Sequence, residues 1–172
     1  KDILNLGVKF FIIQIACLVL YGTMNVIISH VSSPEYVTEY NVVYKYLSIP
    51  LMVFTIILTP FWSAYTDAYT LKDYDWMRGL YGKLLKIYGA CMLGLLILAT
   101  LYPIAFHLWL GDKVDIHLSM IIVVTFYVAI MAFCGLNSNV LNGTGCITIQ
   151  LYGSLAMTIL NIPLALWLGK YW

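Results

Sequence analysis

Long apolar runs separated by short polar segments occupy the whole chain. Five runs have about the 20 residues that a helix needs to cross a hydrocarbon core of roughly 30 Å. A helix is the only open-ended structure that satisfies its own backbone hydrogen bonds in lipid. The pattern therefore predicts an all-α membrane protein, a polytopic bundle of about five transmembrane helices. The predicted spans are Leu6–Ile28, Val42–Trp62, Leu84–His107, Leu118–Leu136 and Ile147–Leu168.

The segments between the spans are predicted to be turns, with one exception. The polar stretches "SHVSSPEYVTEY" and "LWLGDKVDIH" and the uncharged "NSNVLNGTG" have turn composition. Only Ala64–Lys83 is long enough to form structure of its own, and Thr70 with Asp73 three residues later resembles a capping box. Apolar residues then recur at helical spacing, which predicts an amphipathic interfacial connector that feeds into the third span. Candidate hinge residues of this connector are Trp62, Tyr65, Asp67, Asp73, Trp76 and Arg78.

Prolines occur in three of the predicted spans, where each removes a backbone donor and tends to kink the helix. Kinks would let two halves of a transporter rock, although membrane helices also tolerate proline without such a role. The spacing leaves both interpretations open. The prolines are Pro50, Pro60, Pro103 and Pro163.

Charge and composition support membrane insertion and indicate an orientation. Apolar residues make up 62% of the chain and charged residues 10%, whereas soluble domains have about 25% charged residues. A net charge of +1 argues against nucleic-acid binding, which needs a basic stripe. Basic residues near the span ends number six against three, which places the N-terminus and the connector in the cytoplasm. The two sets are Lys1, Lys9, Lys72, Arg78, Lys83 and Lys86, and Lys45, Lys113 and Lys170.

The sequence gives little support for an enzyme, a metal site or a cofactor. The four cysteines stand singly and no CxxC occurs, so we expect buried thiols rather than zinc or redox chemistry. His107 and Asp112 have the HxxxxD spacing of glycerolipid acyltransferases, but they are predicted to lie on the outer face, away from acyl-CoA. The chain starts at Lys1 without a methionine, and we expect it to belong to a longer polypeptide.

A few polar residues within or near the spans are the candidates for binding a substrate. Lys45 lies about one turn inside the second span, where it either snorkels to the interface or meets an anionic group in a cavity. Gln14, Tyr21 and Asn25 share one face of the first helix, which suits either a pore lining or a polar contact between helices. Asn41 and Tyr44, beside Lys45, complete the set of cavity candidates.

Several stretches resemble bacterial polysaccharide (O-antigen-type) flippases of the multidrug/oligosaccharidyl-lipid/polysaccharide (MOP, MATE-like) exporter superfamily. The resemblance covers essentially all 172 residues in order, and "WSAYTDAY" and "NIPL" are its more specific parts. Further matching stretches are "LGVKFFIIQIACLVLYGTMNVIISH", "EYNVVYKYLSI" and "LNGTG". Two positions depart from the family pattern. Met24 stands where the family has an intramembrane Asp, and Cys146 stands where it has a cation.

The resemblance implies a transporter that moves a lipid-linked oligosaccharide, a polyprenyl-pyrophosphate glycan, to the outer leaflet of the bacterial inner membrane. The chain would form helices seven to eleven of a twelve-helix protein and pack against the N-terminal bundle of the same polypeptide. No enzyme activity and no cofactor is implied, and membrane lipids are the other expected partners. Alternatives are a cation-coupled multidrug exporter of the same superfamily, a membrane-embedded acyltransferase and a structural anchor.

Overall fold

The computed structural model describes residues 2–31, 34–111 and 116–168, and all regular secondary structure in these ranges is helical. Five segments of the described chain are long and apolar enough to cross a bilayer: Gly7–Ser29, Ile49–Thr70, Tyr74–Leu110, Leu118–Thr144 and Ile147–Ala165. The prediction of an all-α protein with five helices of membrane-crossing length is confirmed. The helices are α1 (Asp2–Val31), α2 (Pro34–Leu47), α3 (Ile49–Leu58), α4 (Phe61–Thr70), α5 (Tyr74–Leu110), α6 (Leu118–Thr144) and α7 (Ile147–Leu168).

The surface is apolar over much of the described chain, as a lipid-facing surface requires. Leu18, Ile56 and Leu108 are each more than two-thirds exposed. A soluble monomer rarely leaves large contiguous apolar patches in water. These side chains therefore fit an acyl-chain environment.

The described residues form two compact units, each with its own packing. In the first unit, from Lys1–Thr38 and Gly145–Trp172, α1 packs against α7, and Ile13 and Ala16 of α1 are buried. The second unit, Glu39–Thr144, contains two apolar clusters. One joins α2, α5 and α6 through Val43, Leu47, Leu95, Phe106, Ile121, Val124 and Val128. The other joins α3, α4, α5 and α6 through Phe54, Leu58, Tyr65, Leu80, Leu84, Ala132 and Leu136.

The predicted span Val42–Trp62 overlaps a segment of membrane-crossing length, Ile49–Thr70, that α3 and α4 form together, and α2 precedes it. Pro50 occupies the first turn of α3, and Pro60 is the N-cap of α4. Proline is tolerated at these positions because the first turn of a helix has backbone N–H groups without intrahelical partners. By contrast, Pro103 and Pro163 lie inside α5 and α7, which continue on both sides of them.

The connector contains two consecutive helix caps, and the predicted capping box at Thr70 is wrong. Thr70 is the last residue of α4, and Lys72 follows in the left-handed region with a φ of 58°. The backbone N–H of Lys72 donates to the carbonyl of Tyr69, and that of Asp73 donates to the carbonyl of Ala68. These two bonds form a Schellman motif. The Asp73 carboxylate then accepts from the backbone N–H of Trp76 at 3.1 Å and caps α5.

Two of the predicted turns are largely helical. In "NSNVLNGTG", α6 continues to Thr144, and Gly145 follows it in the left-handed region with a φ of 73°. In "SHVSSPEYVTEY", α1 reaches Val31 and α2 begins at Pro34. Residues 32–33, and residues 112–115 of "LWLGDKVDIH", lie outside the described ranges. Composition alone could not predict that α6 extends to Thr144, because packing against α4 stabilises this extension.

The contact between α4 and α6 depends on Gly143. A Cβ added there would overlap the Tyr65 Cβ and approach the backbone carbonyl oxygen of Trp62 to 3.0 Å. Between membrane helices lipid and leucine are equally apolar, so close van der Waals contact at small residues contributes much of the association energy. Gly143 therefore sets how closely the two helices approach.

Replacing Gly143 with alanine is expected to lower the free energy of unfolding by about 1–3 kcal/mol through overpacking. Gly135 on the same helix is the matched control, because a Cβ there meets nothing within 4 Å. Gly135→Ala should be neutral or stabilise the protein by up to about 1 kcal/mol. Thermal unfolding of both purified variants in one detergent measures the difference. Equal melting temperatures would contradict the close contact of α4 with α6.

Candidate functional site

A row of polar side chains follows one face of α7 in the first unit. The members recur at i, i+4, i+8 and i+11, which places them on a common face over about 16 Å of helix. The Thr158 hydroxyl donates to the carbonyl of Ala16 at 3.2 Å, so this face is turned toward α1. We call this set the polar row; it consists of Gln150, Ser154, Thr158 and Asn161.

The two amides of the polar row are incompletely satisfied. The Oε1 atom of Gln150 and the Oδ1 atom of Asn161 are buried, and neither accepts a hydrogen bond from any residue the structure describes. By contrast, the Ser154 hydroxyl donates to the carbonyl of Leu151, and the single Thr158 hydroxyl hydrogen is shared between the carbonyls of Ser154 and Ala16. An unsatisfied buried acceptor costs about 1–3 kcal/mol. The row would therefore be more stable with water or a hydrogen-bonding ligand than with acyl chains.

The candidate residues on α1 lie on a face of that helix that is turned away from the buried Ala16. Gln14 and Asn25 are exposed, whereas Ile13 and Ala16 are buried in the unit that α1 forms with α7. Helical geometry places Gln14 and Asn25 on one face, as predicted, and turns that face away from Ala16. The side chain of Tyr21 is outside the described set.

The candidates on α2 lie beside a group of tyrosine rings in the second unit. The rings of Tyr40 and Tyr44 stack with centroids 5.9 Å apart, and Tyr127 of α6 lies 6.0 Å from Tyr44. Burial, and then the neighbouring Tyr44, raises the pKa of the Tyr40 hydroxyl above its usual value. We call these three rings the tyrosine stack.

Asn41 and Lys45 lie one helical turn apart on α2. Residues at i and i+4 share a helix face, and each of the two directly follows a member of the tyrosine stack in sequence. Lys45 is exposed, and Asn41 is half-buried. An ammonium group, an amide and stacked aromatic rings therefore occur within one short helix. This combination can bind a ligand with both anionic and ring-shaped parts.

A buried acid that sequence reasoning missed connects α2 to α6. Glu39 is 3% exposed, and its carboxylate accepts from the backbone N–H of His117 at 2.7 Å. The second carboxylate oxygen is 3.1 Å from the His117 Nδ1 atom. His117 directly precedes α6, where the helix dipole favours a negative charge. Because 78 positions separate the two residues, no local sequence pattern could reveal the pair.

The connector candidates divide into buried and exposed groups. Tyr65 is 1% exposed, and its ring forms an edge contact with Trp76 at 6.4 Å. Trp62 is partly exposed and Asp67 is exposed. Arg78 pairs with Asp75 at 3.8 Å, but both side chains are almost fully exposed, so the pair contributes little.

Two asparagines in the mispredicted "NSN" turn bind neighbouring helices. The amide oxygen of Asn137 accepts from the Tyr81 hydroxyl at 3.1 Å, which links α6 to α5. The Asn139 amide donates to the carbonyl of Leu58 at 3.0 Å. Leu58 ends α3, where carbonyls lack intrahelical partners. Asn139 thus acts as a C-terminal cap supplied by another helix.

Within the described ranges, no group of three His, Cys, Asp or Glu side chains is placed to hold a metal ion. All four cysteines are free thiols, but the expectation that they are buried is wrong, because two are half-buried and Cys134 and Cys146 are exposed. His107 is an exposed residue of α5, whereas Asp112 lies outside the described residues, so the HxxxxD geometry stays a prediction. No family model matches the chain, and no curated protein or solved structure matches it either.

Replacing Glu39 with alanine is expected to lower the free energy of unfolding by about 1–3 kcal/mol, because it leaves the start of α6 without its acceptor. Asp67→Ala removes an exposed carboxylate of the same unit and should change stability by less than about 0.5 kcal/mol. Thermal unfolding in detergent compares the variants. A Glu39 variant as stable as the Asp67 variant would contradict a structural role for the Glu39–His117 contact.

Proposed function

We propose that this chain is part of a transporter that moves a lipid-linked oligosaccharide across the bacterial inner membrane. We further propose that it belongs to the polysaccharide flippases of the MOP (MATE-like) superfamily. The motifs "WSAYTDAY" and "NIPL" support the family assignment. The substrate would be a polyprenyl-pyrophosphate glycan, and the N-terminal bundle of a longer polypeptide would complete the transporter.

The physical problem for such a transporter is the polar headgroup. Each sugar hydroxyl or phosphate oxygen that enters hydrocarbon without a hydrogen bond costs several kcal/mol. A protein lowers this barrier by offering polar groups and water along the path, while the polyprenyl chain remains in lipid. Alternating access then exposes the path first to one side and then to the other.

The observation that carries the proposal is the polar row of α7. It extends over about half the thickness of the hydrocarbon core, and two of its amide oxygens lack donors among the described residues. Unsatisfied acceptors along a membrane-crossing helix favour a hydrated path.

Within the second unit, a separate group of residues would supply charge and ring contacts. Lys45 is exposed and cationic, and it would attract the pyrophosphate. The tyrosine stack beside it would offer aromatic faces to sugar rings, with Asn41 as an additional hydrogen-bonding group. The Tyr65–Trp76 contact would couple movements of α4 and α5 at the cytoplasmic end.

Cysteine accessibility tests whether the polar row is hydrated. In a background without Cys17, Cys91, Cys134 and Cys146, we expect Ser154→Cys to react with a membrane-impermeant methanethiosulfonate, because thiolates form only in water. Ile159→Cys is the matched control. Ile159 is 69% exposed on the opposite face of α7, and it should stay unreactive in lipid. If Ser154→Cys in active protein is as silent as Ile159→Cys, the row is dry and the proposal loses its main support.

Export in living cells tests the substrate class. In cells lacking the gene, we expect lipid-linked oligosaccharide to accumulate in the inner leaflet and wild-type protein to restore its outer-leaflet fraction. Lys45→Glu should reduce that fraction about tenfold or more, because like charges repel the pyrophosphate, whereas Lys45→Arg should retain it. Normal export by the Lys45→Glu variant would disprove the role of Lys45. Normal glycan export in the deletion cells, with new sensitivity to cationic drugs, would instead favour the multidrug-exporter alternative.

A further inference from the structure

A groove between α4 and α5 is lined by none of the residues of the polar row or the tyrosine stack. It encloses about 460 Å³, which is within the usual range of about 300–1,000 Å³ for small-molecule sites. Phe61 of α4 forms one wall, and Trp76, Gly79, Lys83 and Ile87 of α5 form the other. Lys83 is the one charged residue among the groove's lining residues in the described chain.

The position of the groove along α5 matches the boundary between headgroups and acyl chains. From Ile87 to Leu110 the helix contains no Asp, Glu, Lys or Arg, so this part suits the hydrocarbon core. Lys83 is about 6 Å before Ile87 along the axis. The groove therefore meets the apolar core at its Ile87 end and the headgroup region at Lys83.

Exposed aromatic side chains on the connector also indicate that the groove lies at the boundary between headgroups and acyl chains. Trp62 and Trp76 are each 44% exposed, and Tyr74 is 55% exposed. Tryptophan and tyrosine are favoured at the membrane interface, where the ring contacts apolar groups and the polar atom contacts water. The connector is thus suited to contact headgroups rather than bulk water.

The charged side chains at the groove favour an anionic ligand. Lys83 lies in the wall, and Lys86 follows within one helical turn. Neither ammonium pairs with a carboxylate among the described residues. Asp73 and Asp75 are farther from the core, about 12 Å or more before Lys83 along the axis. The level nearest the hydrocarbon is therefore positively charged.

We propose that this groove is a binding site for an anionic phospholipid of the cytoplasmic leaflet. The phosphate would bind Lys83 and Lys86, and the upper part of one acyl chain would follow the apolar wall toward Ile87. Basic pockets on the cytoplasmic side of membrane helices are suited to acidic headgroups. The site does not depend on which cargo is transported.

Native mass spectrometry of the purified protein in detergent tests the site by counting bound phosphatidylglycerol against phosphatidylcholine. We expect tighter binding of phosphatidylglycerol, and Lys83→Gln should reduce that preference about fivefold. Lys72→Gln removes an exposed cation of the connector that does not line the groove, and it should retain the preference. Equal binding of the two lipids by wild-type protein, or no bound lipid, would overturn the proposal.

A second variant fills the groove without changing charge. A Cβ at Gly79 meets nothing within 4 Å, and leucine has a higher helix propensity than glycine, so Gly79→Leu should fold. It should bind phosphatidylglycerol only as weakly as phosphatidylcholine. Gly89→Leu, another open position on α5 outside the groove, should behave as wild type. Normal phosphatidylglycerol binding by Gly79→Leu, or full displacement of the lipid by soluble glycerol phosphate, would refute the site.

Discussion

The structure depends on one constraint, which is that hydrocarbon offers no hydrogen bonds to an exposed backbone or hydroxyl group. Helices satisfy the backbone internally, and hydroxyls within them bond to the carbonyl one turn earlier. Thr55 donates to the carbonyl of Leu51 at 2.8 Å, and Thr125 donates to that of Ile121 at 2.7 Å. Threonine is therefore tolerated in membrane helices because the helix itself supplies the acceptor.

Helix ends are where this constraint is hardest to meet, because four backbone groups at each end lack partners within the helix. The second unit meets it in part with side chains from other helices. Glu39 accepts from the N–H that precedes α6, and Asn139 donates to the carbonyl that ends α3. The same side chains fix how the helices are packed, so capping and tertiary structure are one set of contacts here.

The two proposals concern polar and charged groups for which the described residues supply no hydrogen-bond or ion-pair partner. In the polar row, amide oxygens have no donor among the described residues, which favours a hydrated path for a polar headgroup. In the groove beside Lys83, an apolar wall ends at lysines that pair with no carboxylate of the described residues, which favours an acidic lipid. The row concerns the cargo and the groove concerns the surrounding membrane, so either proposal can hold without the other.

The sequence by itself determined the helical class and the number of segments long and apolar enough to cross a membrane, because hydropathy is a sum over neighbouring residues. It also placed Gln14 and Asn25 on one face of α1, and its periodicity could have revealed the polar row of α7. Only the tertiary structure decided where the helices end. "NSNVLNGTG" has turn composition, yet it is helical to Thr144 because Gly143 packs against Tyr65 and Asn139 caps α3. Such contacts join residues far apart in the chain, and their energies cannot be read from the residues nearby.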